Sequence, residues 1–151
     1  VYGWGAGKAL TTGDSNTFMG YLAGAAVTTG SANIMIGEST GDGFDTETHN
    51  LGIGNGALGG SIAGGEYNIA IGNLTLDALT SGDNNTAIGY NAGSANQSGA
   101  DTVYIGYQAG TACTSSGNVL IGKDAGLSMT SGESNIHIGI RAGDGYDTES
   151  N

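Results

Sequence analysis

Residues 85–93 read Asn85-Thr86-Ala87-Ile88-Gly89-Tyr90-Asn91-Ala92-Gly93, and this run decides the fold because it recurs along the whole chain. The glycine at its centre falls at Gly3, Gly20, Gly37, Gly54, Gly72, Gly89, Gly106, Gly122 and Gly139. The intervals are 17, 17, 17, 18, 17, 17, 16 and 17 residues. A period this short and regular is the mark of stacked structural repeats.

The residues before each key glycine alternate. Ile34/Ile36, Leu51/Ile53, Ile69/Ile71, Thr86/Ile88, Val103/Ile105, Val119/Ile121 and Ile136/Ile138 sit at a spacing of two. These β-branched and aliphatic pairs are the period of a half-buried strand. Helix formers are too sparse, and the 31 glycines too many, for nine helices. Seven residues after each key glycine comes a second apolar position: Leu10, Val27, Phe44, Leu79, Cys113, Met129 and Tyr146, with Ile62 shifted by a one-residue insertion and Asn96 breaking the column. Thr and Ser cluster beside it, and a further glycine precedes the next Asn (Gly13, Gly30, Gly65, Gly82, Gly99, Gly117, Gly132).

Each unit therefore reads as strand, glycine corner, strand, glycine corner. Stacking such units at about 4.8 Å per rung yields an all-β parallel β-solenoid of about nine rungs, on the order of 40 Å long. The expectation is two short strands per rung, one domain over 1–151, and a segment of a longer repetitive fibre. Small Ala23, Ala57, Ala92, Ala109, Ala125 and Ala142 flank a corner, and the Asn column (Asn16, Asn33, Asn50, Asn68, Asn85, Asn118, Asn135) is expected to stack as a ladder, with Thr102 replacing one member. A longer period is also present: IMIGESTGDGFDTE at 34–47 and IHIGIRAGDGYDTE at 136–149 match at nine of 14 positions, six rungs apart.

Composition narrows function. The net charge is −11, with only three Lys+Arg, which disfavours nucleic-acid backbones and anionic membrane surfaces. No run is long and apolar enough to insert in a membrane. Cys113 stands alone, so no intrachain disulfide is expected, and it reads as a buried small hydrophobe.

The run NTAIGYNAG with its TSG-x-x-N spacer resembles the Gly-rich repeats of phage tail-fibre proteins. It is similar also to the head repeats of trimeric autotransporter adhesins. The resemblance implies a left-handed β-roll, trimeric assembly, an extracellular place on a virion fibre or cell surface, and a role in attachment to a host-surface glycan or receptor.

Taking the first and third strand residues as inward leaves the middle one outward. That column is Val1, Phe18, Met35, Gly52, Ala70, Ala87, Tyr104, Leu120 and His137, and it carries no Asp, Glu, Lys or Arg. It is therefore expected to line a homotrimer interface through Phe18, Met35, Ala70, Ala87, Tyr104, Leu120 and His137. Three copies of His137 on an axis would be a place for a metal, an anion or a pH switch, against the plainer expectation of a packed histidine.

The remaining candidates are weaker. Asp42, Asp45 and Glu47, with their copies Asp144, Asp147 and Glu149, form oxygen-rich turns of a kind that can bind calcium, but they match neither an EF-hand nor a GGxGxD repeat; a solvated acidic turn is the expectation. His49 beside them is expected on the surface. Trp4, Tyr21, Tyr90 and Tyr107 each follow a key glycine and form a possible aromatic line for glycan contact. No Ser, His and Asp recur together, and Gly7-Lys8 lacks the strand-loop-helix setting of a phosphate loop. No catalytic, cofactor or metal residue is assigned and no enzyme is expected. The leading expectation is a structural shaft or head segment of an extracellular trimeric fibre; the alternative is a ligand-binding solenoid for glycan or ice.

Overall fold

The computed structural model describes residues 1–60 and 65–145. The chain winds as a parallel β-solenoid, and among the described residues there is no helix. Among the described residues, eight three-residue strands stack into one sheet in sequence order: β1 (Thr17–Met19), β2 (Ile34–Ile36), β3 (Leu51–Ile53), β4 (Ile69–Ile71), β5 (Thr86–Ile88), β6 (Val103–Ile105), β7 (Val119–Ile121) and β8 (Ile136–Ile138). Every neighbouring pair is parallel, and the register superposes equivalent positions: Ile34 on Leu51, Leu51 on Ile69, Leu120 on His137. The bridge Tyr2↔Met19 adds one more level below β1. Ile62, Tyr146, Asp147 and Glu149 lie outside the described residues.

The strand faces are reversed relative to the expectation. The middle residue points into the core: Phe18, Met35, Ala70, Ala87, Tyr104 and Leu120 are buried, and Gly52 with them. The isoleucines on either side point outward, giving the burial order outside, inside, outside along each strand. The column assigned to a trimer interface is thus the interior of a single chain, and His137 shares its inward orientation. The rung is narrow, so one strand residue per turn fills it, meeting the Ala23-type column and the second inward column of Val27, Phe44, Leu79, Asn96, Cys113 and Met129.

The second expected strand does not form. On that side the amides converge instead of running as a ladder: the N–H groups of Thr28, Thr29 and Gly30 all donate to the Asp45 carbonyl, at 2.9, 3.4 and 3.3 Å. Thr11 and Thr12 share the Thr28 carbonyl in the same way, and Thr80 and Ser81 share that of Gln97. One acceptor serving several donors satisfies the backbone without extended strand geometry.

Glycine serves two separate needs. The key column holds φ near +135°, with Gly20 at +140°, and a Cβ on Gly20 would run into the backbone of Gly37 one rung on. Gly30 has no such dihedral; there a Cβ would collide with the Glu47 carbonyl. Other left-handed corners are not glycine at all. Among the described residues, sixteen non-glycine residues lie at φ between +50° and +61°, a conformation that costs roughly 1–2 kcal/mol each in an unconstrained chain. The stack imposes it by giving each amide a partner: Leu22 N–H donates to Trp4 O at 3.0 Å, Ala32 to Asp14 O at 2.9 Å, and Gln108 to Tyr90 O at 2.9 Å.

The Asn ladder forms. Asn33, Asn50, Asn68, Asn85, Asn118 and Asn135 are buried. Each amide group links two rungs. Asn50 N–H donates to Asn33 Oδ1 at 2.9 Å while Asn33 Nδ2 donates to Glu47 O at 2.7 Å; Asn85 N–H donates to Asn68 Oδ1 at 2.9 Å while Asn68 Nδ2 donates to Gly82 O at 2.9 Å. Thr102 keeps part of the pattern: its N–H and its hydroxyl both donate to Asn85 Oδ1, at 3.1 and 2.6 Å.

Candidate interaction faces

The outer face of the sheet carries two side chains per strand. Of the sixteen outward positions on β1–β8, fourteen are Ile, Leu, Val or Met, and the other two are Thr17 and Thr86. No charged residue stands among them. Ile34, Ile69 and Ile88 are exposed, and Ile136 and Ile138 reach 68% and 66% of full exposure. The face is a ribbon about 35 Å long, at a strand spacing of about 4.8 Å. Isolated apolar side chains on a surface are ordinary, but a continuous uncharged ribbon is a candidate interaction surface.

Its two margins differ in charge. The corner leading into the strands carries Asp14, Glu66, Asp83, Asp101 and Glu133, with no Lys or Arg. Two of these acids help hold the corner: Asp83 Oδ1 accepts the Glu66 N–H at 2.8 Å, and Glu66 Oε1 accepts the Thr48 hydroxyl at 3.2 Å. The corner leaving the strands carries Trp4, Tyr21, Tyr90, Tyr107 and Lys123, and its acids Glu38 and Asp124 are balanced by Lys123 and Arg141.

The four aromatic residues on that leaving corner are exposed, but they do not form one line. Trp4 stacks on Tyr21 (5.2 Å between centroids, 13° between planes) and Tyr90 on Tyr107 (5.5 Å, 20°), with Glu38, Asn55 and Asn73 between the pairs. Lys123 Nζ lies 5.8 Å from the Tyr107 ring centre. Each stacked pair covers its two inner ring faces and leaves edges and outer surface exposed. A third pair, His49 on Tyr67 at 4.9 Å, lies on the opposite margin; pattern reading missed it because His49 and Tyr67 occupy a column otherwise filled by small or polar residues.

The acidic turn at 42–47 does not converge on a cation position. Glu47 is buried, and its Oε2 accepts the N–H groups of Asp45 and Thr46 at 2.7 and 3.0 Å. Asp45 accepts the Thr28 hydroxyl. Glu47 therefore fastens its own loop. In the second copy, Asp144 is held by Arg141 at 2.9 Å and by the Ser128 hydroxyl at 3.0 Å; the Arg141 hydrogen bond, ahead of that from Ser128, holds its carboxyl below the usual range. Asp147 and Glu149 lie outside the described residues. Among the described residues, no three His, Cys, Asp or Glu side chains gather as metal ligands.

Cys113 is a free, buried thiol, reached by Asn118 Nδ2 at 3.5 Å. Asn96, the break in the apolar column, is satisfied by its own corner: its Oδ1 accepts the Gly99 N–H at 2.8 Å and its Nδ2 donates to Gly99 O at 3.1 Å. The Tyr104 hydroxyl is fully buried close to Thr102 and Cys113, and no partner meets it with ordinary hydrogen-bond geometry. Burial, and after it the neighbouring Cys113, pushes the phenol well above its ordinary value. A shallow surface depression lined by Lys8, Leu22, Ala25, Ala26 and Asp42 has one cation and one carboxylate on its rim and no further convergent polar groups. Among the described residues no helix is long and apolar enough to cross a membrane.

Comparison of the chain with protein-family models, with curated proteins and with solved structures finds no match to any of them.

Proposed function

We propose that this chain is a non-catalytic structural segment of an extracellular trimeric fibre, of the phage tail-fibre or bacterial surface-adhesin kind, used in attachment. One observation carries the reading: bonds that tie rung to rung run along the solenoid axis at every level. Strand hydrogen bonds, the left-handed corner amides and the buried Asn ladder each tie one rung to the next. A shaft pulled along its length would load these bonds in parallel, and its buried backbone would resist proteases. The three Lys+Arg and the scatter of acidic side chains along the corners favour a mechanical role over a catalytic one.

The test is assembly and resistance in one preparation. Sedimentation of the full chain is expected to give a trimer, and thermolysin is expected to leave the rungs intact below the melting temperature. A monomer at high micromolar concentration that thermolysin rapidly degrades would remove the reading. Glycan binding remains the second reading, supported by the exposed Trp4–Tyr21 and Tyr90–Tyr107 pairs. A glycan array on Trp4→Ala and Tyr90→Ala variants against the parent chain separates it from a purely mechanical role.

A further inference from the structure

We propose that the isoleucine ribbon packs against further copies of this same chain, lying parallel and in rung register, with the acidic margin of each copy beside the aromatic margin of its neighbour. The proposal rests on the oligomeric reading above and adds the surface, the direction and the pairing of margins.

Three observations carry it. First, the ribbon is the part of the chain where repulsion is absent. At a net charge of −11 two copies repel, and fourteen of sixteen outward positions on β1–β8 are apolar with none charged. Second, the ribbon is periodic. Its side chains recur once per rung, in exact superposition from β1 to β8. A second copy has the same rise, so its ridges meet these grooves at every level; a partner of different rise would lose register within a few rungs. Third, the margins differ in charge. Asp14, Glu66, Asp83, Asp101 and Glu133 stand on one side, while the other is balanced and aromatic. Rotation about the fibre axis sets the acidic margin of one copy against the balanced margin of the next. An antiparallel face-to-face pair would set five carboxylates against five, with no cation between them. Complementarity of this kind fixes orientation more than it adds affinity.

Two measurements on the full chain test the proposal. In the first, Ile71→Lys and Ile105→Lys are compared with the parent by sedimentation, with amide exchange confirming that the rungs persist. Each lysine would have to be buried unpaired, so association is expected to weaken by roughly 100-fold or more. In the second, nitroxides are placed on the exposed far corner at Thr29→Cys, Ser81→Cys and Ser131→Cys, one site at a time, with Cys113 buried and unlabelled. Thr29 and Ser131 are six rungs apart, about 29 Å along the axis. A parallel, registered assembly gives the same label-to-label distance at all three sites. Distances that change by tens of ångströms from site to site, or association that the lysine variants leave intact, overturn the proposal while leaving an oligomeric fibre standing. A parent chain that stays monomeric overturns both.

Discussion

Gly24 lies against the ring of Phe18, so closely that a methyl group on Gly24 would stand 2.7 Å from Phe18 Cε1. The same pairing, six residues apart, recurs along the stack; the exception is Ala87 with Gly93, both small, where Tyr104 and Leu76 of the adjacent rungs close on Gly93. Met35 faces Gly41, Tyr104 faces Gly110, Leu120 faces Gly126 and His137 faces Gly143. Where the strand residue is small the partner is large: Gly52 goes with Leu58 and Ala70 with Leu76, both leucines fully buried and both at left-handed φ, +53° and +50°. Outside the Ala87 level, each rung has one volume to fill and fills it from one side or the other.

Leu76→Gly is therefore expected to open a cavity. Large-to-small core changes cost about 2–5 kcal/mol, and release of the left-handed strain returns roughly 1–2 kcal/mol. Adding Ala70→Leu should restore most of the loss, because Leu120 with Gly126 already has that arrangement. Thermal melts of parent, single and double variants check this. A double variant no more stable than Leu76→Gly would show that the two positions do not share one space.

This reciprocity explains how much the sequence disclosed. The repeat length, the position of every strand, the parallel register and the Asn ladder are legible, because each depends on a residue type recurring at one spacing. The facing of the strand is not. A period of two announces two faces and says nothing about which is inside, and isoleucine reads as core in either phase. The signal that decides it is volume compensation between Phe18 and Gly24 against Ala70 and Leu76, which appears only when two columns are compared. The second strand was over-read for a related reason: Thr28-Thr29 has strand composition, yet the fan of amides onto the Asp45 carbonyl forms instead. The residues of the apolar outer ribbon are legible as a column in the sequence; the side of the wall they occupy is not.

Removal of the Tyr104 hydroxyl should stabilise the protein. The group is buried and unpaired, and an unsatisfied buried donor costs about 1–3 kcal/mol. Tyr104→Phe keeps the ring that fills the space beside Gly93 and Gly110. A higher melting temperature at pH 7 is expected. A lower one would mean that the hydroxyl is satisfied in solution.

The same residue sets an alkaline limit. In the unfolded chain the phenol ionises near its ordinary value of 10.0, while burial raises it in the folded chain. A group with a raised folded-state value contributes its stability in full below the unfolded value and loses it as pH rises beyond. Stability should therefore hold up to about pH 10 and decline above it. Tyr104→Phe should flatten that decline, which denaturation curves at pH 8, 10 and 11 would reveal. Equal slopes for parent and variant would contradict the burial of this phenol.

The Asn ladder gives the last prediction. Asn68 Oδ1 accepts the Asn85 N–H at 2.9 Å and Asn68 Nδ2 donates to Gly82 O at 2.9 Å, all within the buried wall. Asn68→Ala strands a donor in one rung and an acceptor in the next, at about 1–3 kcal/mol each. Asn68→Asp keeps the shape but replaces the donor with an acceptor and introduces a charge without a cation beside it. Asp should therefore destabilise at least as much as Ala at pH 7, and part of its loss should return as pH falls through the carboxyl range and the acid regains a proton to donate. Amide exchange is the direct measurement: the Asn85 N–H should lose protection in Asn68→Ala, while amides several rungs away stay slow, because a solenoid propagates damage mainly to its nearest neighbours. Uniform loss of protection along the chain would show instead that the rungs unfold as a single unit.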